Sequence, residues 1–265
     1  MGVLNVTPDS FSDGGMFEDA GSAIVQARAL AAEGADLIDV GGESTRPGAE
    51  PVSEPVELRR VVPVIETLAA DGVPISIDTS KAAVARAAIT SGASFVNDVT
   101  ALRGDPAMAG VVAEAGTEVC LVHMKGEPRT MQDDPRYDDV VSDVKAFLEE
   151  RLAFAVAAGI REEHVCLDPG IGFGKTVEHN LELLRRLDEI VAIGRPVVVG
   201  TSRKSFLGKL AGGRDEGERL PGTIAANVLA LERGASVFRV HDVAQNADAL
   251  AVATATVQTD VGERS

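Results

Sequence analysis

The chain has 265 residues, 45% hydrophobic and 25% charged, and its 41 acidic against 25 basic residues give a formal net charge of −16. That length suffices for a sizeable core, and so acidic a surface should repel nucleic acid and anionic lipid. No apolar run reaches the ~18 residues of a membrane span, and no charged n-region with an apolar h-region opens the chain. Cys120 and Cys166, the only cysteines, are too few for a disulfide framework or a thiolate metal cluster. The expectation is a soluble cytoplasmic protein with a small-molecule ligand and neither a nucleic-acid nor a membrane partner.

Short β-rich apolar runs at residues 2–6, 35–40, 74–77, 94–96, 118–122, 165–167, 196–199 and 237–240 predict eight strands. Segments with helical spacing lie between them, among them 20–33, 56–70, 140–158, 181–191 and 223–233. This alternation predicts an α/β fold with a parallel sheet and helices packed outside it. Gly34-Ala35-Asp36, Gly92-Ala93-Ser94 and Gly234-Ala235-Ser236 each stand between a helical segment and a strand. A left-handed glycine there ends the helix and turns the chain back. Eight units in ~250 residues match a single (β/α)8 TIM barrel, whereas a doubly wound sheet usually has fewer strands. The barrel is expected over residues 1–258, with 259–265 as a disordered tail. The acidic stretch 214–218 reads as a solvated loop after the seventh strand.

In a parallel barrel, functional groups belong at the C-terminal ends of the strands. Here every run finishes in polar residues or glycines: Asn5; Asp39 with Gly41-Gly42-Glu43-Ser44-Thr45-Arg46; Asp78-Thr79-Ser80; Asn97-Asp98; His123; Asp168; Ser202-Arg203-Lys204; and Arg239, His241 and Asp242. An Asp within an apolar run costs several kcal/mol unless it is paired or binds something. Asp78, Asn97 and Asp168 offer acceptors and an amide suited to the edge of a flat heterocycle. Arg46, Lys204, Arg239 and His241 offer cationic donors for phosphate or diphosphate. A planar base bearing an anionic group satisfies both halves.

Residues 170–176, Gly-Ile-Gly-Phe-Gly-Lys-Thr, look like a phosphate loop but fail its spacing, because the first glycine of the motif falls on Pro169. No H-E-x-x-H, C-x-x-C or G-x-S-x-G is present, which disfavours zincin, redox and acyl-serine mechanisms. Cys120 and Cys166 read as small buried hydrophobes. His164 and His179 read as structural, and His123 fits a structural and a functional role equally.

With these residues in place the chain resembles the dihydropteroate synthase family, the sulfonamide-sensitive enzymes of the folate pathway. The carriers are MGVLNVTPDSFSDGG at 1–15, GGESTRPG at 41–48, Ile77-Asp78-Thr79, Asn97-Asp98, Leu167-Asp168-Pro169-Gly170, Ser202-Arg203-Lys204 and Arg239-Val240-His241-Asp242. The resemblance implies a Mg²⁺-assisted condensation in which dihydropterin pyrophosphate loses diphosphate to the amine of p-aminobenzoate. It implies that Asp78, Asn97, Asp168 and Lys204, with Phe173 and Gly200, bind the pterin. Asn5 and Asp13 would hold Mg²⁺, with Thr45, Arg46, Arg239 and His241 around the diphosphate. First and second loops that are mobile, bearing Phe11, Asp13, Thr45, Arg46 and Pro47, would close to form the p-aminobenzoate pocket. Ser205 and Lys204 would contact that substrate's carboxylate. Asp78, Asn97, Asp168, Lys204, Arg239 and His241 would be the catalytic set.

The resemblance also implies a homodimer through late helices and sulfonamides that compete with p-aminobenzoate. Family members commonly begin with a β-hairpin before the first barrel strand, whereas Met1 already sits in strand one here. The expectation is a partly open barrel floor or a trimmed chain start. Two rivals share the pterin half: a methyltetrahydrofolate-type methyltransferase, which needs no diphosphate site, and a catalytically silent pterin-binding paralogue. Turnover separates them.

Overall fold

The computed structural model describes residues 1–7, 16–44, 49–127 and 130–257, with backbone alone for 16–19. The first half of the chain runs β1 (Gly2–Asn5), α1 (Met16–Ala32), β2 (Ile38–Gly41), α2 (Glu54–Ala70), β3 (Ile75–Asp78), α3 (Ala82–Thr90), β4 (Phe95–Asp98), α4 (Met108–Ala115) and β5 (Glu118–Val122). The second half runs α5 (Val140–Ala157), β6 (Val165–Asp168), α6 (Val177–Arg185), α7 (Leu187–Val191), β7 (Val198–Val199), α8 (Ser205–Leu210), α9 (Leu220–Glu232), β8 (Val237–Phe238) and α10 (Val243–Val257). Strands β1 to β6 pair in sequence order, all parallel, and β7 pairs parallel with β8. Parallel bridges Leu167↔Val197 and Gly2↔Val240 join the two sheets at both seams, so the strand order closes on itself. Met1 is held there through its amino group, which donates to the Phe238 carbonyl at 3.0 Å.

Strand side chains alternate between faces, and the alternation divides the core in two. Leu4, Ile38, Val40, Ile75, Ile77, Val96, Leu121, Leu167 and Val199 belong to one continuous cluster with the buried faces of the helices. Their neighbours Phe95, Cys120, Val122, Cys166 and Val198 form a second, smaller cluster inside the ring, with Met1 and Leu37 against it. Each fully buried Leu or Ile of the outer layer contributes ~1.5–3 kcal/mol by leaving water. Burial pushes the Cys166 thiol up to about 11 and the Cys120 thiol well above its ordinary value, so both are inert packing groups.

The three Gly-Ala repeats end their helices in one way. Gly34, Gly92 and Gly234 adopt φ of +100°, +118° and +94°. In each, the glycine N–H bonds three residues back and the alanine N–H five residues back, as in Ala35 to Leu30 and Gly34 to Ala31. This Schellman geometry satisfies carbonyls that the helix end leaves open and aims the chain into the next strand.

Three local expectations change. The run 181–191 is two helices, because Arg186 leaves the helical region at φ −110°, ψ 30°. Its guanidinium is tied to Glu189 at 2.7 Å and to Asp139, the N-cap of α5, at 3.0 Å. Strands β7 and β8 keep only two residues each, shorter than the apolar runs that contain them. The acidic stretch follows α8, not the strand directly, and holds a 3-10 turn at Glu216–Glu218 closed by an Asp215–Glu218 capping box. Among the described residues no helix is long and apolar enough to cross a membrane.

Candidate active site

Asn5, Asp39, Ser76, Asp78, Asn97 and Asp168 lie on the strand face that points into the ring. Asn5, Gly41, Asp78 and Asn97 stand in register across β1 to β4 and make one rung at the C-terminal rim. Around that rung lies a cavity of about 870 Å³, also lined by Asp168, Phe173, Gly200, Lys204, Ser205, Arg239 and His241. Asp78, Asn97 and Asp168 are 7%, 4% and 5% exposed, so their acceptors are presented from a largely dry floor.

Asp39, one layer below the rung and wholly buried, organises that floor. It accepts from Ser76 Oγ at 2.5 Å, Asn97 Nδ2 at 3.0 Å and Arg239 Nε at 2.6 Å. Arg239 Nη2 donates onward to Asp78 at 2.7 Å. One guanidinium is thus shared between two carboxylates, an arrangement its fork of donors suits and lysine could not reproduce. One N–H of the Asn97 amide goes to Asp39, which orients the group and leaves its oxygen as an acceptor for a ligand.

Charge and burial compete throughout the cavity. Burial, aided by the negative charges of Asp39, Glu57 and Asp98, raises Asp78 to about 7 against the pull of Arg239. Burial likewise raises Asp168, opposed by Lys204 and by the Gly170 N–H, which donates to Asp168 Oδ1 at 2.6 Å. Lys204 falls to about 8 through burial, although Asp168 works the other way. Burial acts against the charge on Arg239, but Asp39 and Asp78 hold it well above its ordinary value. Lys204 Nζ donates to the Ile171 carbonyl and sits 4.3 Å from the Phe173 ring centroid. The result is an acceptor floor beside fixed cations, which matches the N–H edge of a planar heterocycle with an anionic substituent.

A family model described as pterin binding enzyme matches residues 1–241. The chain belongs to this family. Over 265 residues it is 46% identical to the dihydropteroate synthase of Escherichia coli (strain K12), covering all of this chain and 93% of that one. Among solved structures it is similar to Xanthomonas albilineans dihydropteroate synthase with 4-aminobenzoic acid, with a TM-score of 0.92, 48% identity and coverage of 98% and 93%. A Yersinia pestis dihydropteroate synthase in a sulfonamide drug complex gives a TM-score of 0.92, 45% identity and coverage of 98% and 94%.

For this pterin-binding family member, Asn5, Asp78, Asn97, Asp168, Phe173, Gly200, Lys204, Ser205, Arg239 and His241 are brought to one cavity. Phe11, Asp13, Thr45, Arg46 and Pro47 lie outside the described residues, as does the tail 259–265. His241 Nδ1 is 2.9 Å from Ser202 Oγ, which also accepts the His241 N–H at 3.1 Å. Arg203 turns to Asp242 through two bonds of 3.0 and 2.6 Å and braces the rim. His123 does not line the cavity; it is buried against Lys175 at 2.8 Å. His179 completes the capping box that starts α6.

Three groups carry no local signal of their role in the sequence. Asp39 was visible as a polar residue in a strand but not as a hub. Glu57, in the first turn of α2, is wholly buried, bonded by Thr79 Oγ1 at 2.7 Å and Lys81 Nζ at 2.5 Å. Lys81 also bonds Glu43, which accepts from the Val52 N–H at 2.9 Å. Residues on both sides of the 45–48 motif are thereby tied to the barrel wall. The third group, Lys175, sat in the rejected phosphate-loop motif.

Proposed function

We propose that this protein is a dihydropteroate synthase, condensing 6-hydroxymethyl-7,8-dihydropterin pyrophosphate with p-aminobenzoate to give 7,8-dihydropteroate and diphosphate. The observation that carries the reading is the single cavity in which Asp78, Asn97 and Asp168 face Lys204 and Arg239. In the reaction the bond from the pterin methylene to the diphosphate oxygen breaks. The arylamine nitrogen bonds to that carbon and gives up a proton.

The pterin's N–H edge lies on Asp168, Asn97 and Asp78, and Lys204 binds the same ring. The Asp168 carboxylate offsets positive charge spread into the ring as the carbon–oxygen bond lengthens. Arg239 and His241, with Thr45 and Arg46, face the departing diphosphate, whose growing charge needs neutralising. Ser205 and Lys204 take the p-aminobenzoate carboxylate, and Phe11 and Pro47 complete that pocket. An arylamine is already nucleophilic, so no dedicated strong base is required.

The donor chemistry fits Mg²⁺. Such an ion takes oxygen ligands, keeps few from the protein and relies on substrate phosphates. Asn5 offers one carboxamide oxygen at the cavity, and among the described residues no cluster of three or more His, Cys, Asp or Glu competes for a metal. Asn5, with Asp13, would hold the ion, which when bound supplies positive charge to the leaving diphosphate.

The catalytic domain spans 1–258 and acts as a cytoplasmic homodimer through α9 and α10, whose Leu229 and Val252 are 46% and 69% exposed. Sedimentation at micromolar concentration should give a dimer; monomer alone would overturn that part. The deciding assay supplies both substrates and Mg²⁺ and follows dihydropteroate and diphosphate together. Equal amounts of both, lost on adding EDTA, are expected. Pterin binding without product would replace the synthase reading with the silent paralogue. A sulfonamide should compete with p-aminobenzoate, and absence of binding would remove the assigned pocket.

A further inference from the structure

Residues 170–175, unfit for a phosphate loop, enclose a buried lysine amine of their own. Lys175 is 3% exposed, and its Nζ lies 2.8 Å from His123 Nδ1, 2.9 Å from the Gly170 carbonyl and 3.0 Å from the Phe173 carbonyl. An ammonium has three donors, and these three acceptors are all neutral. His123 is itself 5% exposed and edge-on to Phe147, with ring centroids 4.8 Å apart. Nδ1 faces Lys175 Nζ, so an ammonium there places the ring proton on Nε2.

The backbone around this ammonium has no repetitive structure. Gly170, Gly172 and Gly174 adopt φ of +67°, +83° and +63°, a conformation side chains rarely permit. The five carbonyls along the turn accept from four side chains. Gly170 and Phe173 serve Lys175, Ile171 serves Lys204, Gly172 takes Gln132 Nε2 at 2.6 Å, and Gly174 takes the Tyr137 hydroxyl at 2.8 Å. A Cβ on Gly172 would stand 2.7 Å from Lys204 Cδ. Lys204 therefore lies directly on a turn whose carbonyls are held by Lys175 and Gln132, which line the same cavity.

We propose that Lys175, backed by His123, is a positioning residue for Lys204. It draws the Gly170 and Phe173 carbonyls to one point, and the turn so shaped sets the Ile171 carbonyl and the Phe173 ring against Lys204. Arginine cannot replace it, because a planar fork does not converge on three acceptors as an ammonium does. The functional consequence rests on the reading that Lys204 binds the pterin substrate. The geometric one does not.

Two measurements separate these. In ligand-free protein, modification of Lys204 by an amine reagent, located by peptide mass, should be several-fold faster in Lys175→Met and Lys175→Arg. The milder His123→Leu, which keeps Lys175, should move the rate the same way. Unchanged rates in folded Lys175→Arg and His123→Leu would overturn the proposal, whatever the substrate is. The second measurement titrates dihydropterin pyrophosphate into wild type, Lys175→Met, Lys204→Met and the double variant. Lys175→Met should weaken binding by about tenfold or more, and the double variant should bind no worse than Lys204→Met. Additive losses would mean that Lys175 acts independently and would overturn its role through Lys204. Failure of wild type to bind this pterin would sink the functional reading instead, and the modification rates would still decide the positioning role.

Discussion

Asp39 shows how a barrel interior accommodates charge. A carboxylate with no exposed surface is costly unless both oxygens have donors, and here Ser76, Asn97 and Arg239 supply them. The same bonds fix two of the groups that face the ligand, so the residue's effect should exceed its own stability. Asp39→Asn keeps the shape but leaves Arg239 with Asp78 as its one carboxylate. Breaking one side of a buried pair costs ~3–5 kcal/mol when the partner is deleted, and the isosteric change should approach the lower end. Urea denaturation should register that loss, with pterin affinity at least ~10-fold weaker. Wild-type affinity in this variant would show that Asp78 alone holds Arg239 in place.

At the scale of elements, what the sequence displays locally and what it hides can be told apart. Strand parity and the Gly-Ala turns are written within a few residues, and so the alternation of strands and helices is readable. The break at Arg186 depends on Asp139, 47 positions away, and the brevity of β7 and β8 depends on strands that meet only when the ring closes. The candidate site divides likewise. Asp78, Asn97 and Asp168 stand out because polar residues end apolar runs. Asp39 acquires its meaning from Arg239, 200 positions on, and Lys175 from His123, 52 positions back. The glycines give a local test. At Gly92, φ is +118° and a Cβ would stand 2.5 Å from that of Ala69, whereas Gly110 lies exposed in the first turn of α4 with nothing within 4 Å. Gly92→Ala should therefore destabilise by more than ~1 kcal/mol, and Gly110→Ala should stabilise by ~0.5–1 kcal/mol. Chemical denaturation of the two side by side checks this. Equal signs would mean that the turns tolerate Cβ and that the helix ends are not what the glycines serve.

For the whole molecule, closing the ring buries titratable groups of opposite character, and stability should record both as a function of pH. Asp78 has its value raised from 3.8 to about 7, first by burial. The folded state then holds a proton that the unfolded chain has already lost. Its contribution is complete below the unfolded value and disappears as pH rises through about 7. His123 is depressed from 6.5 to about 2 by burial and by the neighbouring Lys175. Its contribution is present above 6.5 and is lost as pH falls toward about 2. Between pH 5 and 6.5 the two slopes oppose one another and wild type reports only their sum. Variants resolve them. From pH 5 to 8, Asp78→Asn should lose less stability than wild type, because the carboxylate that must ionise in a dry site is gone. From pH 7.5 down to 5, His123→Asn should lose less than wild type, because no buried imidazole resists protonation. The chain's net charge of −16 imposes a common background of self-repulsion that relaxes on acidification, and comparison with wild type at each pH removes it. Urea midpoints at pH 5, 6.5 and 8 for the three proteins suffice. If both variants departed from wild type with the same sign across pH 5 to 6.5, the burial of one of these groups would be wrongly assigned.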